Sequence, residues 1–312
     1  MPDIYLPIVN ASGFAPYALG AQQEGGLTNF SQWCVPKRVY HYPIYWQRVE
    51  AIRGTYKGWW AYDKNAELIN SIECPQIITV KASPDWAKAW VHPGSPPAPE
   101  YYADYAKFCQ FVIDRYHPFA LELWNEPDME RDAIVEPDNN YYGAWVDSGE
   151  TFYQGGQRYG ECMKMVTEQV TGSKILIGAL TSHSKSIEFM QGAWDAGLTG
   201  DALSYHCYIR YPHSESFNRI FTLADWYRKA TDLPLLCTET SMLAQGDTPD
   251  YATPEFLQMQ ADYLRYILDH MEGSEVELVE WFMLGREPNS WANSELIRFG
   301  GTTPVYDVWK GT

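Results

Sequence analysis

Short apolar runs with the character of β-strands alternate along this chain with longer segments whose apolar residues recur at helical spacing. The runs lie at residues 4–9, 39–46, 76–82, 119–126, 174–180, 202–208, 233–239 and 276–284. Strands that alternate with helices pair in parallel through right-handed crossovers. Eight such units favour closure over an open sheet, so we predict an α/β fold, a single (β/α)8 TIM barrel.

The length of 312 residues agrees with one domain, since barrels of this kind routinely run past roughly 250 residues. Neither an internal repeat nor a low-complexity linker interrupts the sequence, so residues 1–312 are predicted to form a single domain. No glycine-rich phosphate loop follows the first predicted strand, which disfavours a nucleotide-binding protein.

Composition limits the partners of this domain. Aromatic residues make up 15% of the chain, with 13 Trp and 23 Tyr, and rings beyond those needed in the core suit a polysaccharide groove. The formal charge of -17 repels nucleic acid and anionic lipid surfaces. We therefore predict a neutral carbohydrate as the substrate, with no nucleic acid, no membrane and no cofactor.

The run Leu-Trp-Asn-Glu-Pro-Asp at residues 123–128 ends the fourth predicted strand. Its Pro-Asp pair is a turn signal, so Glu126 is predicted at the C-terminal edge of the strand, where loops carry chemistry. Regular alternation would place Glu122, Trp124 and Glu126 on one face, with Glu122 deep in the barrel and structural. Asp128 is expected to cap the next segment or to hold the loop.

A second acid ends the seventh predicted strand. The run at 233–241 is apolar and then gives way to small polar residues around Glu239. In a ring of eight strands the fourth and seventh ends face each other, so Glu126 and Glu239 are predicted to converge. Two such carboxyls can cleave a glycosidic bond, because one protonates the departing oxygen while the other attacks the sugar carbon or activates water.

Further side chains are candidates for binding sugar. Strand alternation places His206 and Tyr208 on one face of the sixth strand, although a lone strand histidine is commonly structural. Trp281 is predicted to form a platform under the reacting sugar, whereas Glu280 beside it is predicted to face the helices. Trp86 follows the third strand and either lines outer subsites or packs its own loop.

The chain resembles the retaining glycoside hydrolases of clan A, barrels whose catalytic glutamates lie on the fourth and seventh strands. Three segments make it most similar to family 39, with family 5 next: Ser-Pro-Asp-Trp-Ala at 83–87, Trp-Asn-Glu-Pro-Asp at 124–128 and Tyr-His-Cys-Tyr at 205–208. Two departures from family 39 are a first strand without a clear signature and the expected lack of its accessory β-domain.

The resemblance implies roles for individual residues. Glu126 would be the general acid/base and Glu239 the nucleophile, and Asn125 would bind the 2-hydroxyl of the sugar. His206 and Tyr208 would lie near the acids, with Tyr208 bonded to Glu239. The implied function is that of a retaining β-glycosidase that acts by double displacement, which makes the whole barrel a catalytic domain.

Two other functions stay open at this stage. A barrel that binds carbohydrate without catalysis would keep the aromatic cleft, although the presence of both acids argues against it. A metal- or phosphate-dependent enzyme could use the same fold, since fold alone does not fix function. The seven histidines include no close pair at ligand spacing, so no metal is predicted.

The sequence leaves the setting of the protein open. Residues 1–9 lack the basic and long apolar regions of a signal peptide, so we expect an extracellular protein if a leader was removed and a cytoplasmic one otherwise. A monomer is favoured, and the oligomeric state is otherwise undetermined. The identity of the sugar and the choice between exo and endo action depend on the shape of the cleft.

Overall fold

A computed structural model describes residues 19–22, 31–36, 38–133, 142–244, 253–285, 295–298 and 301–311. Eight parallel strands close into a barrel in chain order, which confirms the predicted (β/α)8 fold. The strands are β1 Leu19–Gln22, β2 Val39–Tyr45, β3 Gln76–Lys81, β4 Ala120–Leu123, β5 Lys174–Leu180, β6 Ala202–Arg210, β7 Leu235–Leu243 and β8 Val276–Phe282.

Helices surround the barrel and follow the strands along the chain. Within the described ranges they are α1 Trp46–Val49, α2 Trp60–Ser71, α3 Tyr102–Tyr116, α4 Phe152–Gln169, α5 Ser186–Asp195, α6 Arg219–Arg228, α7 Pro254–Met271 and α8 Pro304–Lys310. A small antiparallel pair, β9 Ile297–Arg298 and β10 Gly301–Thr302, precedes α8. Among the helices in these ranges, none is both long and apolar enough to cross a membrane.

The first strand of the barrel differs from the sequence prediction. The predicted strand at residues 4–9 lies outside the described residues, and β1 pairs with β2 and β8 to close the ring. Its four residues include Gly20, where an added Cβ would lie 2.8 Å from the carbonyl oxygen of Val39. A strand so short, with a glycine required by close approach, carries little of the β-pattern that predicted the other seven.

The largest rings fill the layer between the strands and the helices rather than an open groove. Trp46, Trp124, Trp145 and Trp281 are all fully buried. Trp46 packs on Tyr105 of α3 with ring centroids 5.5 Å apart. Much of the tryptophan surplus therefore stabilises the outer core by burying large aromatic surfaces.

The inside of the barrel holds a polar cluster, which we call the core cluster and define as His41, Thr79, Glu122, Thr238 and Glu280. His41 Nδ1 lies 2.6 Å from Glu280 Oε2, and its Nε2 lies 2.5 Å from Thr79 Oγ1. Glu122 accepts hydrogen bonds from Thr79 at 2.9 Å and from Thr238 at 2.8 Å. All five residues are fully buried, so these bonds replace the water that their polar groups lose on folding.

The core cluster corrects the prediction for Glu280. Glu280 faces the barrel axis, whereas Trp281 beside it packs against Tyr263 of α7, with ring centroids 6.1 Å apart. The two side chains do alternate as predicted, but the assignment of inside and outside was reversed. The reason is that His41 provides a buried cationic partner for Glu280, which its own strand could not reveal.

We expect the variant His41→Leu to lose about 3 kcal/mol of unfolding free energy at neutral pH, because two carboxyls would remain buried without a cation. Burial raises the pKa of Glu280 to about 6, above the value in the unfolded chain, so folding favours its protonated form. His41 opposes that rise, so its removal raises the pKa of Glu280 further, and the loss of stability should grow as the pH rises from about 4 toward 7.

Urea unfolding at pH 5 and pH 7 measures this effect. The double variant His41→Leu/Glu280→Leu is the matched control and should recover much of the lost stability, since it removes one of the two uncompensated carboxyls. Equal losses for the single and double variants would contradict the role assigned to the His41 and Glu280 pair.

Candidate active site

Glu126 is positioned by an irregular chain segment at the end of β4. The strand stops at Leu123, and Trp124 and Glu126 have φ values of 74° and 48°. The Glu126 N–H donates to the carbonyl of Ala179 at the end of β5, at 2.9 Å. This bond fixes the acid at the C-terminal edge of the barrel, as predicted, on a backbone that few side chains adopt without support.

The prediction that Trp124 shares a face with Glu122 and Glu126 is wrong. The Trp124 ring lies outside the barrel, 5.9 Å from Tyr105 and 5.4 Å from Trp145. Alternation holds only for extended backbone, and the positive φ of Trp124 breaks it. The indole packs against these two rings on the outer side of the barrel and does not reach the site.

Glu239 is positioned by an irregularity in β7. Tyr205 of β6 pairs with Cys237, whereas the next residue, His206, pairs with Glu239, so β7 carries one extra residue, Thr238. The extra residue lets two successive side chains turn toward the axis. Thr238 reaches down to the core cluster and Glu239 reaches the mouth of the barrel.

Four of the predicted residues meet at this mouth. His206 Nδ1 lies 2.9 Å from Glu126 Oε1 and 3.3 Å from Glu239 Oε2, and Tyr208 donates its hydroxyl to Glu239 Oε2. One carboxylate oxygen of each glutamate and a ring nitrogen of His206 all lie within 4.8 Å of one another. The structure therefore brings together the two acids that the sequence placed on opposite strands.

The ionisable groups of this site shift one another's pKa values. Burial alone lowers the pKa of His206, but Glu239 and Glu126 outweigh it and raise that pKa to about 9. Burial raises the pKa of Glu239, His206 opposes the rise, Glu126 adds to it, and the hydrogen bond from Tyr208 opposes it again. An imidazolium thus stands between the two carboxyls at neutral pH and offsets their mutual repulsion.

The variant His206→Phe should shift the acid limb of the pH profile upward. Loss of the imidazolium removes the largest interaction that lowers the pKa of Glu239, and an opposite charge at this distance is worth about one pH unit or more. The limb should appear in kcat/KM, which reports ionisation in the free enzyme. The exposed His213, changed to Phe, is the control, and an unmoved limb in His206→Phe would contradict the assigned electrostatic role.

Asn125 lies directly beside Glu126 and offers an unused amide oxygen. The residue is 6% exposed, and its side-chain Oδ1 is buried and has no hydrogen-bond partner among the described residues. Its backbone carbonyl is engaged, since it accepts the N–H of Gly143 at 2.9 Å. A buried polar atom without a partner is costly, so this oxygen gains a hydrogen bond if the side chain turns toward a ligand hydroxyl at the site.

Two tryptophans predicted to bind sugar lie elsewhere. Trp281 is fully buried behind β8 against α7, so it cannot form the platform that the sequence suggested. Trp86 donates its indole N–H to the carbonyl of Glu50 at 2.9 Å and packs edge-on against Trp46. Of its two predicted roles, packing its own loop is the one that these contacts support.

Phe282 is the aromatic residue of β8 that the sequence analysis missed. It shares the inward parity of Glu280, and its ring lies 5.9 Å from that of Tyr208, edge to face. The residue is 8% exposed. Strand alternation would have predicted an inward Phe282 if Glu280 had been assigned to the inner face. The reversed assignment of Glu280 therefore concealed it.

Asp128 holds the loop after β4, as expected. Its carboxylate accepts hydrogen bonds from the N–H and hydroxyl of Thr181, both at 2.9 Å, and from the hydroxyl of Ser186. Burial raises its pKa to about 6, and these hydrogen bonds oppose the rise. The contacts join the loop that carries Glu126 to the start of α5.

The spacing of Glu126, His206 and Glu239 would also admit a metal ion. The hydrogen bond of His206 to Glu126 and its ion pair with Glu239 explain this spacing without an ion. Because carboxylates and imidazole are common metal ligands, a chelator test distinguishes the two arrangements.

By sequence, the chain matches no protein-family model and no curated protein. Its structure is similar to a family 39 glycoside hydrolase from Bacteroides cellulosilyticus WH2, with a TM-score of 0.63 and 15% identity over 96% of this chain and 64% of that one. It is also similar to an exo-β-1,4-mannosidase from Opitutaceae bacterium strain TAV5, with a TM-score of 0.66 and 13% identity over 99% of this chain and 61% of that one.

A third similar structure is a psychrophilic family 10 endo-β-1,4-xylanase, with a TM-score of 0.64 and 12% identity over 95% of this chain and 96% of that one. The chain spans less than two thirds of the length of the first two proteins. The fold is the barrel shared by family 39 and other clan A glycoside hydrolases, as the sequence motifs predicted.

Proposed function

We propose that this protein is a retaining β-glycosidase with Glu126 as the general acid/base and Glu239 as the nucleophile. One observation carries the proposal: an oxygen of each carboxyl and a ring nitrogen of His206 lie within 4.8 Å of one another at the C-terminal mouth of the barrel. Retaining enzymes hold their two carboxyls about 5–5.5 Å apart, whereas inverting enzymes leave about 6.5–9.5 Å for a water molecule.

The environments of the two acids support their separate roles. Burial and Glu126 raise the pKa of Glu239, and the charged ring of His206 and the hydroxyl of Tyr208 oppose that rise, so these two contacts favour the ionised form needed for attack. The side chain of Glu126 is 16% exposed, compared with 7% for Glu239. Glu126 is therefore the better placed of the two to exchange a proton with the leaving group and then with water.

Two displacements follow from this arrangement. In the first, Glu239 attacks the anomeric carbon while Glu126 gives its proton to the departing oxygen, which leaves a covalent glycosyl ester on Glu239. In the second, water attacks the anomeric carbon, its proton passes to the carboxylate that Glu126 kept from the first step, and the bond from that carbon to Glu239 breaks, which frees the sugar and the Glu239 carboxylate. After its side chain turns toward the sugar, the Oδ1 of Asn125 would accept a hydrogen bond from the sugar 2-hydroxyl during both steps.

The substrate class follows from the site and from the similar structures. The chain carries a formal charge of -17 and its site is built from carboxyls, which suits a neutral glycan. The similar proteins include a β-1,4-mannosidase and a β-1,4-xylanase, so β-1,4-linked mannose and xylose units are the first substrates to test.

A screen with aryl β-glycosides, followed by proton NMR of the first product, tests the proposal. The expected result is hydrolysis that is insensitive to a chelator and gives the β-anomer first. An α-anomer as first product would refute the nucleophile role of Glu239. Sugar binding without hydrolysis would favour the non-catalytic barrel, and activity lost to the chelator and restored by a metal would favour a metal-dependent enzyme.

A further inference from the structure

A cavity of about 310 Å³ is walled by residues that follow β4 and β5, among them Asp128 and Met129 shortly after Glu126. Two of these wall residues are hydrogen-bonded to the backbone of Glu126 and His206. Met129 donates its N–H to the carbonyl of Glu126 at 3.0 Å, and Ser182 donates its hydroxyl to the carbonyl of His206 at 2.8 Å. Because Glu239 is on β7, the cavity lies on the acid side of the pair.

Asp128 gives this cavity a fixed wall. Its carboxylate is already bonded to Thr181 and Ser186, so it holds the wall together and is not free for a ligand. The helices behind the wall are also closely packed, since a Cβ at Gly156 of α4 would lie 1.8 Å from the carbonyl oxygen of Phe189 of α5. A cavity formed by such elements keeps its shape before a ligand arrives.

His183 forms the most distinctive wall of the cavity. Its exposed ring stacks on the buried ring of Phe152, with centroids 5.0 Å apart and planes 8° apart. Its Nδ1 accepts the N–H of Lys185 at 3.2 Å, so the ring is oriented and its neutral form carries the proton on Nε2. The wall therefore offers a flat ring face and a hydrogen-bond donor at its edge.

We propose that this cavity is the leaving-group subsite and binds one sugar unit on the departing side of the scissile bond. The inference rests on the proposed function, because a general acid must lie beside the oxygen that leaves. A pyranose ring has an apolar face for His183 and hydroxyl groups for Thr181 and Ser182. The volume lies at the lower end of the roughly 300–1,000 Å³ of ligand pockets, which fits one unit rather than a long chain.

The test compares two leaving groups on the same donor sugar. Xylobiose and mannobiose, both β-1,4-linked, need the subsite, whereas the matching β-glycosyl fluorides release only fluoride. In His183→Ala, kcat/KM for the disaccharide should fall about tenfold while kcat/KM for the fluoride stays within about twofold of the parent. In Ala133→Phe, which adds bulk to the cavity, the same selective loss is expected.

His270→Ala is the matched control, because His270 is an exposed histidine stacked on Tyr266 with ring centroids 4.0 Å apart, on α7 and away from the cavity. This variant should leave kcat/KM unchanged for both the disaccharide and the fluoride. Equal losses on disaccharide and fluoride in the His183 and Ala133 variants, or no loss on either, would overturn the subsite. A parent protein that hydrolyses no glycosyl fluoride would instead refute the proposed function, which separates the two failures.

Discussion

The variant Glu239→Ala is expected to lose on the order of 10⁵-fold in kcat, because no other carboxyl can attack the anomeric carbon from its position. Added azide should restore part of the activity on an activated aryl glycoside, since the missing side chain leaves space for a small anion. The rescued product should be the α-glycosyl azide, because a single displacement inverts the anomeric carbon.

Glu239→Gln is the control for this rescue, since the amide fills the space and should admit no azide. Tyr208 would keep a hydrogen-bond acceptor in that variant, which preserves the packing at the mouth of the barrel. A β-glycosyl azide from Glu239→Ala, or hydrolysis near the parent rate, would show that the nucleophile lies elsewhere.

The variant Glu126→Ala should show the second largest effect, and its size should depend on the leaving group. General acid catalysis contributes about 10²–10⁴-fold, so kcat/KM for a disaccharide should fall by about 10³-fold or more. A dinitrophenyl glycoside needs no protonation, and its first step should slow by about tenfold or less.

Azide distinguishes this variant from the nucleophile variant. With Glu239 intact, azide can replace water in the second displacement, and the product should be the β-glycosyl azide. Equal losses on the disaccharide and on the dinitrophenyl glycoside would contradict the acid/base role of Glu126.

Much of the fold was predictable, because seven barrel strands carry apolar runs that are long enough to recognise. The convergence of Glu126 and Glu239 followed from strand order alone, since the ends of parallel strands in a closed ring meet at one mouth. The first strand was missed because its four residues include a glycine and carry no clear β-pattern.

The faces of individual side chains were harder to predict, for two physical reasons. Trp124 follows a backbone with positive φ, where alternation no longer applies. Glu280 and Trp281 kept their alternation, but the preference for an inward Glu280 depends on His41, which lies more than two hundred residues earlier. A partner so distant in the sequence cannot be inferred from the composition of one strand.

Thr238 shows the same limit within the site itself. One added residue in β7 lets neighbouring side chains share the interior, and nothing in the run around Glu239 signals the irregularity. The sequence could therefore place the nucleophile at a strand end, whereas the hydrogen bond from Thr238 to Glu122 beneath it emerged only from the structure.

The core cluster also constrains how this protein can evolve. Its members come from β2, β3, β4, β7 and β8, so no strand of the cluster can exchange its polar residue without leaving a buried group elsewhere unsatisfied. Substitutions in the core cluster should therefore be tolerated only when several of its residues change together. Homologues that replace His41 with an apolar residue should also have lost the carboxyl at position 280.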